Sequence, residues 1–178
     1  MPGYSPGFDP RVPVRLRSRR PSSERVPTVS DGSPGDINFR TRKWVRPEDL
    51  NAHGTLFGGS LLRWIDEEAT IYAIVQLGNN HVVTKYMSEI DFVSSARQGD
   101  VIEMGLRATV FGRTSLTMRA EVRNMITRRT ILSIERVVFV GLDANGDPVA
   151  HGYHDITFDR DRLPVAPSSN VQEVENRT

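Results

Sequence analysis

The sequence predicts an α+β domain in which one long helix lies on an antiparallel sheet. Apolar residues recur every three or four positions from Phe57 to about Leu77, which is typical of an amphipathic helix. Most of the remaining sequence up to residue 142 alternates apolar and polar residues or is rich in β-branched residues, which is typical of strands. With 178 residues and 38% hydrophobic content, the chain is long enough for one such domain.

The elements follow one another in a simple order. A first strand over residues 37–45 ends before a proline, and a loop leads into the helix, which Gly78 and the asparagines after it close. Further strands are predicted over residues 81–93, 101–111, 115–125 and 131–142, with a candidate edge strand over 148–157. A 20-residue helix of about 30 Å can cover one apolar face of this sheet.

Composition separates two tails from the domain. Residues 1–36 hold 7 of the 11 prolines and few apolar residues, so they cannot bury enough surface to offset the entropy of ordering. We therefore expect a Pro/Arg-rich disordered tail over 1–36, a folded domain over 37–160 and a polar tail over 161–178.

Several functional classes are disfavoured by composition. The net charge is +1, which disfavours a polycation that coats nucleic acid. The chain has no cysteine, which removes disulfides, cysteine metal sites and thiol nucleophiles. No apolar run is long enough to span a membrane, and none follows Met1 as in a signal peptide. A cytoplasmic protein without a membrane partner is expected.

Asp66 is an unusual residue for its place on the predicted helix. Its face holds mostly small and apolar residues: Gly59, Leu62, Ala69, Thr70 and Ala73. Burial there would raise the pKa of its carboxyl group and make it a competent base. The alternative is an exposed acid in a charged stretch, because Glu67 and Glu68 adjoin it.

The helix start and the loop before it supply two further candidates. Gly58 and Gly59 would leave the amide groups of the first turn open to an oxyanion or a carbonyl oxygen, although, taken alone, the glycines are better explained by an ordinary loop-to-helix turn with small residues for close packing. Asn51 could hold a water or a carbonyl, or form an Asx turn; His53 is similarly ambiguous. No metal site is predicted, because His151 and His154 would point to opposite faces of a strand.

At these residues the sequence resembles hotdog-fold acyl-CoA thioesterases, in the branch of the YciA-type hydrolases and brain acyl-CoA hydrolase. The segment RPEDLNAHGTLFGGSLLRWIDEEA, residues 46–69, matches the family pattern without a gap. The match continues through HVVT at 81–84, DF at 91–92, GDV at 99–101 and GRTS at 112–115. It covers most of residues 40–146 and leaves the tails outside.

The resemblance implies a central helix wrapped by a five-stranded antiparallel sheet of order 1-3-4-5-2. It implies hydrolysis of acyl-CoA to free CoA and a carboxylic acid, with coenzyme A as part of the substrate or product and no further cofactor. Asp66 and Asn51 fall on the catalytic acid and asparagine, and the amides around Gly58 would polarise the carbonyl. Gly59 and the turn formed by Arg113, Thr114 and Ser115 would contact the CoA substrate.

The resemblance also implies a dimer, and a trimer of dimers in this branch. Helix geometry supports a site between two chains. Gly58 and Asp66 are eight residues apart, which is about 12 Å along a helix. An attacking group and an oxyanion donor must each lie ~3 Å from the reacting atoms. Two antiparallel copies of the helix could meet this requirement, so the active site is expected at the interface of a homodimer.

Three other functions remain as alternatives. A non-catalytic acyl-CoA-binding hotdog regulator would not need an acid at position 66 and would usually carry a DNA-binding module, of which the first 36 residues show no sign. A hotdog dehydratase would need a histidine base paired with an acid on the helix, and this helix has no histidine. Anion or nucleic-acid binding through residues 11–25 could coexist with any of these, but no nucleic-acid partner is predicted.

Overall fold

The computed structural model describes residues 37–163. Most of the predicted tail residues lie outside this range. One helix and six strands form the fold: β1 (Asn38–Trp44), α1 (Gly58–Leu77), β2 (Val82–Met87), β3 (Asp91–Phe92), β4 (Val101–Phe111), β5 (Ser115–Asn124) and β6 (Thr130–Gly141). A single 3-10 turn, Pro47–Asp49, lies in the loop before α1.

All strands belong to one antiparallel sheet of order β1-β4-β5-β6-β2, and β3 pairs with β6 outside this path. The predicted order 1-3-4-5-2 is confirmed when β2 and β3 are counted as one strand. The α+β class is confirmed as well, because α1 packs on β4, β5 and β6 and also contacts β2.

The strand predicted over residues 81–93 is broken in the middle. Ser88 donates its backbone N–H to the Arg136 carbonyl at 2.9 Å, and its side-chain oxygen accepts the Arg136 N–H at 3.2 Å. A side chain thus replaces a backbone carbonyl in the ladder, and regular pairing resumes only at Asp91. The β-branched composition of this stretch gives no sign of the break.

The edge strand predicted over residues 148–157 is wrong. Only Pro148 forms an isolated bridge, with Leu142. The chain then turns at Gly152, whose φ of 75° suits glycine, and continues across the end of α1. There the Gln76 side-chain amide donates to the Thr157 carbonyl at 2.8 Å and accepts the Thr157 N–H at 2.9 Å.

One face of α1 forms the core with the inner face of the sheet. The buried helix residues are Leu61, Trp64, Ile65, Ala69, Ala73, Gln76 and Leu77. Each large apolar side chain buried in this way contributes about 1.5–3 kcal/mol to folding. Phe57, which shares the apolar spacing, is instead 54% exposed at the helix start.

Tyr72 closes the gap between α1 and the part of β4 that extends beyond β1. Its hydroxyl oxygen accepts the Ala108 N–H at 3.2 Å. Burial raises the pKa of the Tyr72 hydroxyl, and the Ala108 hydrogen bond and the charges of Arg40 and Arg107 oppose this rise.

The β2 edge of the sheet is unusually open. β2 has a strand neighbour on one side only, and its four central residues, Val83, Thr84, Lys85 and Tyr86, are exposed. Two of them are large and apolar, since Val83 is 45% and Tyr86 44% exposed. An exposed edge with apolar side chains is a template for pairing with another strand.

Candidate active site

The N-terminal end of α1 presents free amide groups. Phe57 occupies the N-cap position, and its side chain makes no capping hydrogen bond. The first helical hydrogen bond runs from Leu61 N–H to the Phe57 carbonyl at 3.1 Å. The N–H groups of Gly58, Gly59 and Ser60 therefore have no acceptor within residues 37–163, and they carry the positive end of the helix dipole.

Two aromatic rings flank these amides. A Cβ atom at Gly58 would lie 3.2 Å from Cζ of Phe92, and one at Gly59 would lie 2.6 Å from Cε1 of Phe57. Glycine at both positions lets the rings approach the backbone. Because Phe92 is 47% exposed, the free donors lie between two apolar surfaces that are still accessible.

Asp66 lies half-buried on α1, facing the β2 edge. The Thr84 hydroxyl donates to Oδ1 of Asp66 at 2.6 Å, a short charge-assisted hydrogen bond that orients the carboxylate. Oδ2 of Asp66 takes part in no hydrogen bond or ion pair among the described residues. One carboxylate oxygen is thus fixed, and the other has no hydrogen-bond partner among the described residues.

The two neighbouring acids have different roles. Glu67 pairs with Arg63 at 2.6 Å on the exposed side of the helix, the surface ion pair that the spacing suggests. Glu68 accepts a hydrogen bond from the Thr41 hydroxyl of β1 at 2.6 Å. Of three consecutive acids, only Asp66 faces the open edge with an oxygen to spare.

Asn51 organises the loop before the helix. Its Oδ1 accepts the N–H groups of His53 at 2.9 Å and Thr55 at 3.3 Å, and its Nδ2 donates to the Thr55 hydroxyl at 3.0 Å. The Asx-type alternative is therefore realised. One hydrogen on Nδ2 remains, so Asn51 has a single free donor and no acceptor to offer.

The predicted CoA-contacting turn is well ordered by its own backbone. Gly112 N–H donates to the Ser115 carbonyl at 2.8 Å, and Gly141 N–H donates to the Thr114 carbonyl at 3.0 Å. The Arg113 side chain is exposed. The turn joins β4 to β5 at the end of the sheet where Ser115 pairs with Val140.

The structure does not bring all predicted site residues together in one chain. Phe92, which touches Gly58, pairs with Leu132 of β6, whereas the Arg113 turn lies beside Val140. Eight residues of strand correspond to about 27 Å. Gly58 and Gly59 thus lie near Asn51 at one end, the Arg113 turn lies at the other, and Asp66 lies between.

Thr84 is a site residue that the sequence did not reveal. It belongs to the HVVT segment of the resemblance, but a threonine in a strand carries no chemical signal. Its role emerges only when β2 places it beside a helix residue 18 positions earlier in the chain.

Within residues 37–163, no group of three or more histidine and acidic side chains is placed to hold a metal ion. In the same range, no helix has the length and apolarity to cross a membrane.

Comparison with known proteins places this geometry in a family. The sequence profile of the Thioesterase superfamily matches residues 53–130. The acyl-CoA thioester hydrolase YciA of Escherichia coli strain K12 is 33% identical over 95 residues, which are 53% of this chain and 70% of that protein. The chain belongs to this family of acyl-CoA thioester hydrolases. The predictions of the family, of the hotdog fold and of a thioester hydrolase are thereby confirmed.

A second relative covers less of its own length. The uncharacterized acyl-CoA thioester hydrolase YkhA of Bacillus subtilis is 34% identical over 108 residues, 59% of this chain. The chain spans 62% of the length of YkhA.

Solved structures agree with this assignment. An acyl-CoA hydrolase from Staphylococcus aureus, solved with butyryl coenzyme A and coenzyme A, has 30% identity and a TM-score of 0.57, over 62% of this chain and 66% of that one. Variants of that protein with an asparagine, an aspartate or a threonine replaced by alanine have also been solved. A hexameric acyl-CoA thioesterase has 33% identity and a TM-score of 0.58, over 69% of this chain and 81% of that one.

Proposed function

We propose that this chain hydrolyses acyl-CoA to free CoA and a carboxylic acid, with Asp66 as the catalytic acid. The observation that carries the proposal is the Asp66 carboxylate, which Thr84 holds through one oxygen while the other stays free. Hydrolysis forms a C–O bond between water and the thioester carbonyl carbon and breaks the C–S bond, and the thiolate takes up a proton.

Two roles are open to Asp66. As a general base, it takes a proton from the attacking water and returns it to the leaving sulfur. As a nucleophile, it forms an acyl anhydride that water then opens. Single-turnover hydrolysis in H₂¹⁸O detects an anhydride that water opens at the Asp66 carboxyl carbon, because Asp66 then keeps the label and the first carboxylic acid released carries an unlabelled oxygen from Asp66.

The spacing of the replaced residues in the Staphylococcus aureus protein supports this assignment. Its asparagine and aspartate variants are 15 positions apart, as are Asn51 and Asp66. Its threonine lies 17 positions after the aspartate, and Thr84 lies 18 after Asp66. We infer that Asn51, Asp66 and Thr84 act as one unit in this chain, with Thr84 as the positioning residue.

The free amides of α1 supply the oxyanion site in this proposal. Negative charge develops on the thioester oxygen during attack, and N–H donors fixed at a helix start stabilise it without reorganisation. Gly58 and Gly59 provide such donors between Phe57 and Phe92, where the rings reduce access of water. Asn51, with its single remaining N–H, is a further donor to the carbonyl or to the attacking water.

The site must combine groups from two copies of the chain. Gly58 and Asp66 of one helix are about 12 Å apart, too far to act on one carbon. We propose that two copies join along their β2 edges, so that the amides of one copy face Asp66 of the other. The exposed Val83 and Tyr86 favour this surface. A trimer of such dimers is consistent with the hexameric relative.

The same arrangement accounts for the Arg113 turn, which lies at the opposite end of α1 from Gly59. Across a dimer, the Arg113-Thr114-Ser115 turn of one copy and the helix start of the other can contact one extended CoA ester. Coenzyme A enters only as part of the substrate or product, and no other cofactor is proposed. The cytoplasmic location remains a prediction.

The experiment mixes two inactive variants. Asp66→Ala removes the acid, and Gly58→Pro removes one amide donor. Proline is suited to the first position of a helix, and the extended Phe57 backbone before it (ψ 126°) accommodates it. A heterodimer has one site with both defects and one with neither, so subunit exchange is expected to restore about half of the activity per heterodimer.

Both variants must first be shown to fold and to exchange subunits. Subunit exchange is measured separately, by native mass spectrometry of differently tagged copies, because a mixture of wild type with Asp66→Ala has as many complete sites after exchange as before it. If exchange is complete and the two variants show no recovery, the carboxylate and the amides act within one chain, and the two-copy site is wrong.

A further inference from the structure

His151 holds both ends of the Arg113 turn. Its backbone N–H donates to the Arg113 carbonyl at 3.3 Å, and its ring Nε2 lies 3.4 Å from the Ser115 carbonyl. Its ring also meets the edge of Phe111, the last residue of β4, with centroids 6.2 Å apart. His151, 36 positions after Ser115, thus contacts both Arg113 and Ser115 of the turn and also the last residue of β4 before it.

The hydrogen bonds of the ring define which nitrogen carries the proton. Nδ1 of His151 accepts the Tyr153 N–H at 3.1 Å, so in the neutral ring the hydrogen lies on Nε2, which faces the Ser115 carbonyl. The left-handed backbone at Gly152, between the two residues, allows this close return of the chain.

A stack of side chains connects His151 to the end of α1. The Tyr153 ring lies nearly parallel to the His151 ring, at 13° and 6.1 Å, and the Arg162 guanidinium lies 4.2 Å above the Tyr153 ring. Arg162 also donates to the Gln76 carbonyl at 3.0 Å, in the last turn of the helix. The turn is therefore connected through this stack to the last turn of α1.

We propose that His151 is a positioning residue that holds the Arg113-Thr114-Ser115 turn ready for the nucleotide part of the substrate. The inference rests on the proposed function, in which this turn contacts CoA. His151 is suited to this task because it contacts backbone carbonyls, that of Arg113 through its own N–H and that of Ser115 through its ring. The Arg113 side chain and the Thr114 hydroxyl are thereby left to face a ligand. Holding the turn before binding lowers the entropy cost of ordering it on the nucleotide.

The test compares two thioesters with the same acyl group. Butyryl-CoA carries the nucleotide, and butyryl-N-acetylcysteamine lacks it. His151→Phe keeps an aromatic ring against Phe111 and Tyr153 but loses both ring nitrogens. We expect KM for butyryl-CoA and the inhibition constant of free CoA to rise about five- to tenfold. We expect kcat for butyryl-CoA and kcat/KM for butyryl-N-acetylcysteamine to stay within twofold of wild type.

Two further variants complete the test. His151→Gln keeps a donor of similar reach toward the Ser115 carbonyl and is expected to recover most of the CoA affinity. His154→Phe, at an exposed histidine three residues further along, is the matched control and is expected to leave both substrates unaffected. Should His151→Phe be unfolded, the His151→Gln and His154→Phe proteins are compared on the same substrates with His151→Asn.

The outcomes separate this inference from the proposed function. Wild-type protein that hydrolyses no acyl-CoA overturns the proposed function. Active wild type with an unchanged KM for butyryl-CoA in folded His151→Phe overturns the role of His151. An equal loss on both substrates shows a general structural effect and overturns it as well.

Discussion

The two ends of α1 are finished in opposite ways. At its C-terminal end, the Gly78 N–H donates to the Ile74 carbonyl in a left-handed cap, and the Arg162 guanidinium donates to the Gln76 carbonyl. The Gln76 side chain forms two hydrogen bonds with the Thr157 backbone. At its N-terminal end, no side chain caps the helix, and half-exposed aromatic rings stand beside the free amides.

The contrast indicates that the C-terminal end contributes to stability, and it supports the binding role proposed for the N-terminal end. Helix ends normally have their unpaired groups satisfied, because unpaired backbone groups are costly when water is removed. The C-terminal end follows this rule, because Gly78 and Arg162 donate to the Ile74 and Gln76 carbonyls. The N-terminal end leaves its donors open, and a substrate carbonyl can provide the acceptor that the chain withholds.

The largest effect is expected from removing Asp66, the acid proposed to work beside the uncapped N-terminal end of α1 of the other copy. Asp66→Ala should lower kcat for acyl-CoA hydrolysis by about 10²-fold or more, because it removes the proposed general base or nucleophile. CoA binding, measured by calorimetry, should stay largely intact. Glu67→Ala is the matched control, since Glu67 pairs only with Arg63 on the surface. A wild-type kcat in folded Asp66→Ala protein contradicts the assignment.

A smaller effect is expected from replacing Asn51, which lies in the loop before the N-terminal end of α1. Asn51→Ala should lower kcat about tenfold and raise KM less, because the amide is proposed to act on the transition state. Asn51→Asp keeps the oxygen that accepts the His53 and Thr55 N–H groups but loses the free donor. Steady-state kinetics of Asn51→Asp measures this. A wild-type kcat in that variant would mean that Asn51 only organises the loop.

Changes at the capped C-terminal end of α1 should lower the free energy of unfolding and leave kcat unchanged. Gln76→Ala leaves the half-buried Thr157 N–H and carbonyl without partners, which costs about 1–3 kcal/mol in the free energy of unfolding. Urea denaturation at fixed protein concentration measures this loss, and Gln98→Ala, at an exposed glutamine, is the control. A large loss of kcat in Gln76→Ala at 25 °C would mean that the C-terminal end of α1 also contributes to catalysis.

No effect is expected from removing residues 1–36. This segment has few apolar residues to pack, so a chain that begins at residue 37 should fold and hydrolyse acyl-CoA as the full chain does. Circular dichroism and kcat/KM check this. An insoluble or inactive truncated protein means that the domain boundary at residue 37 is misplaced.

Regular periodicity made the main elements predictable. The α1 pattern begins one residue before the observed helix and ends with it, and β4 has the predicted bounds, because α1 and β4 bury one face against the core. Residues 148–157 misled because their composition suits a strand, whereas Gly152 turns the chain onto the end of α1. That path depends on Gln76 and Thr157, which are 81 positions apart.

The site was only partly readable for the same reason. Asp66 stands out as an acid on a stripe of small residues, and the glycines mark an open helix start. Thr84 and His151 gave no such signal, because each acts through a partner in a distant element. Asn51 was ambiguous in sequence, since one oxygen and one nitrogen serve the loop while a single hydrogen remains.

The open β2 edge has a consequence for how total hydrolytic activity depends on the concentration of the protein. When two copies must meet to complete a site, the active fraction at high dilution grows in proportion to concentration. Total activity then follows the square of the expression level, and it becomes linear only once dimers dominate. In that dilute range, halving production of such a chain would remove up to three quarters of its catalytic flux, so the proposed pairing of β2 edges would make hydrolysis sensitive to gene dosage.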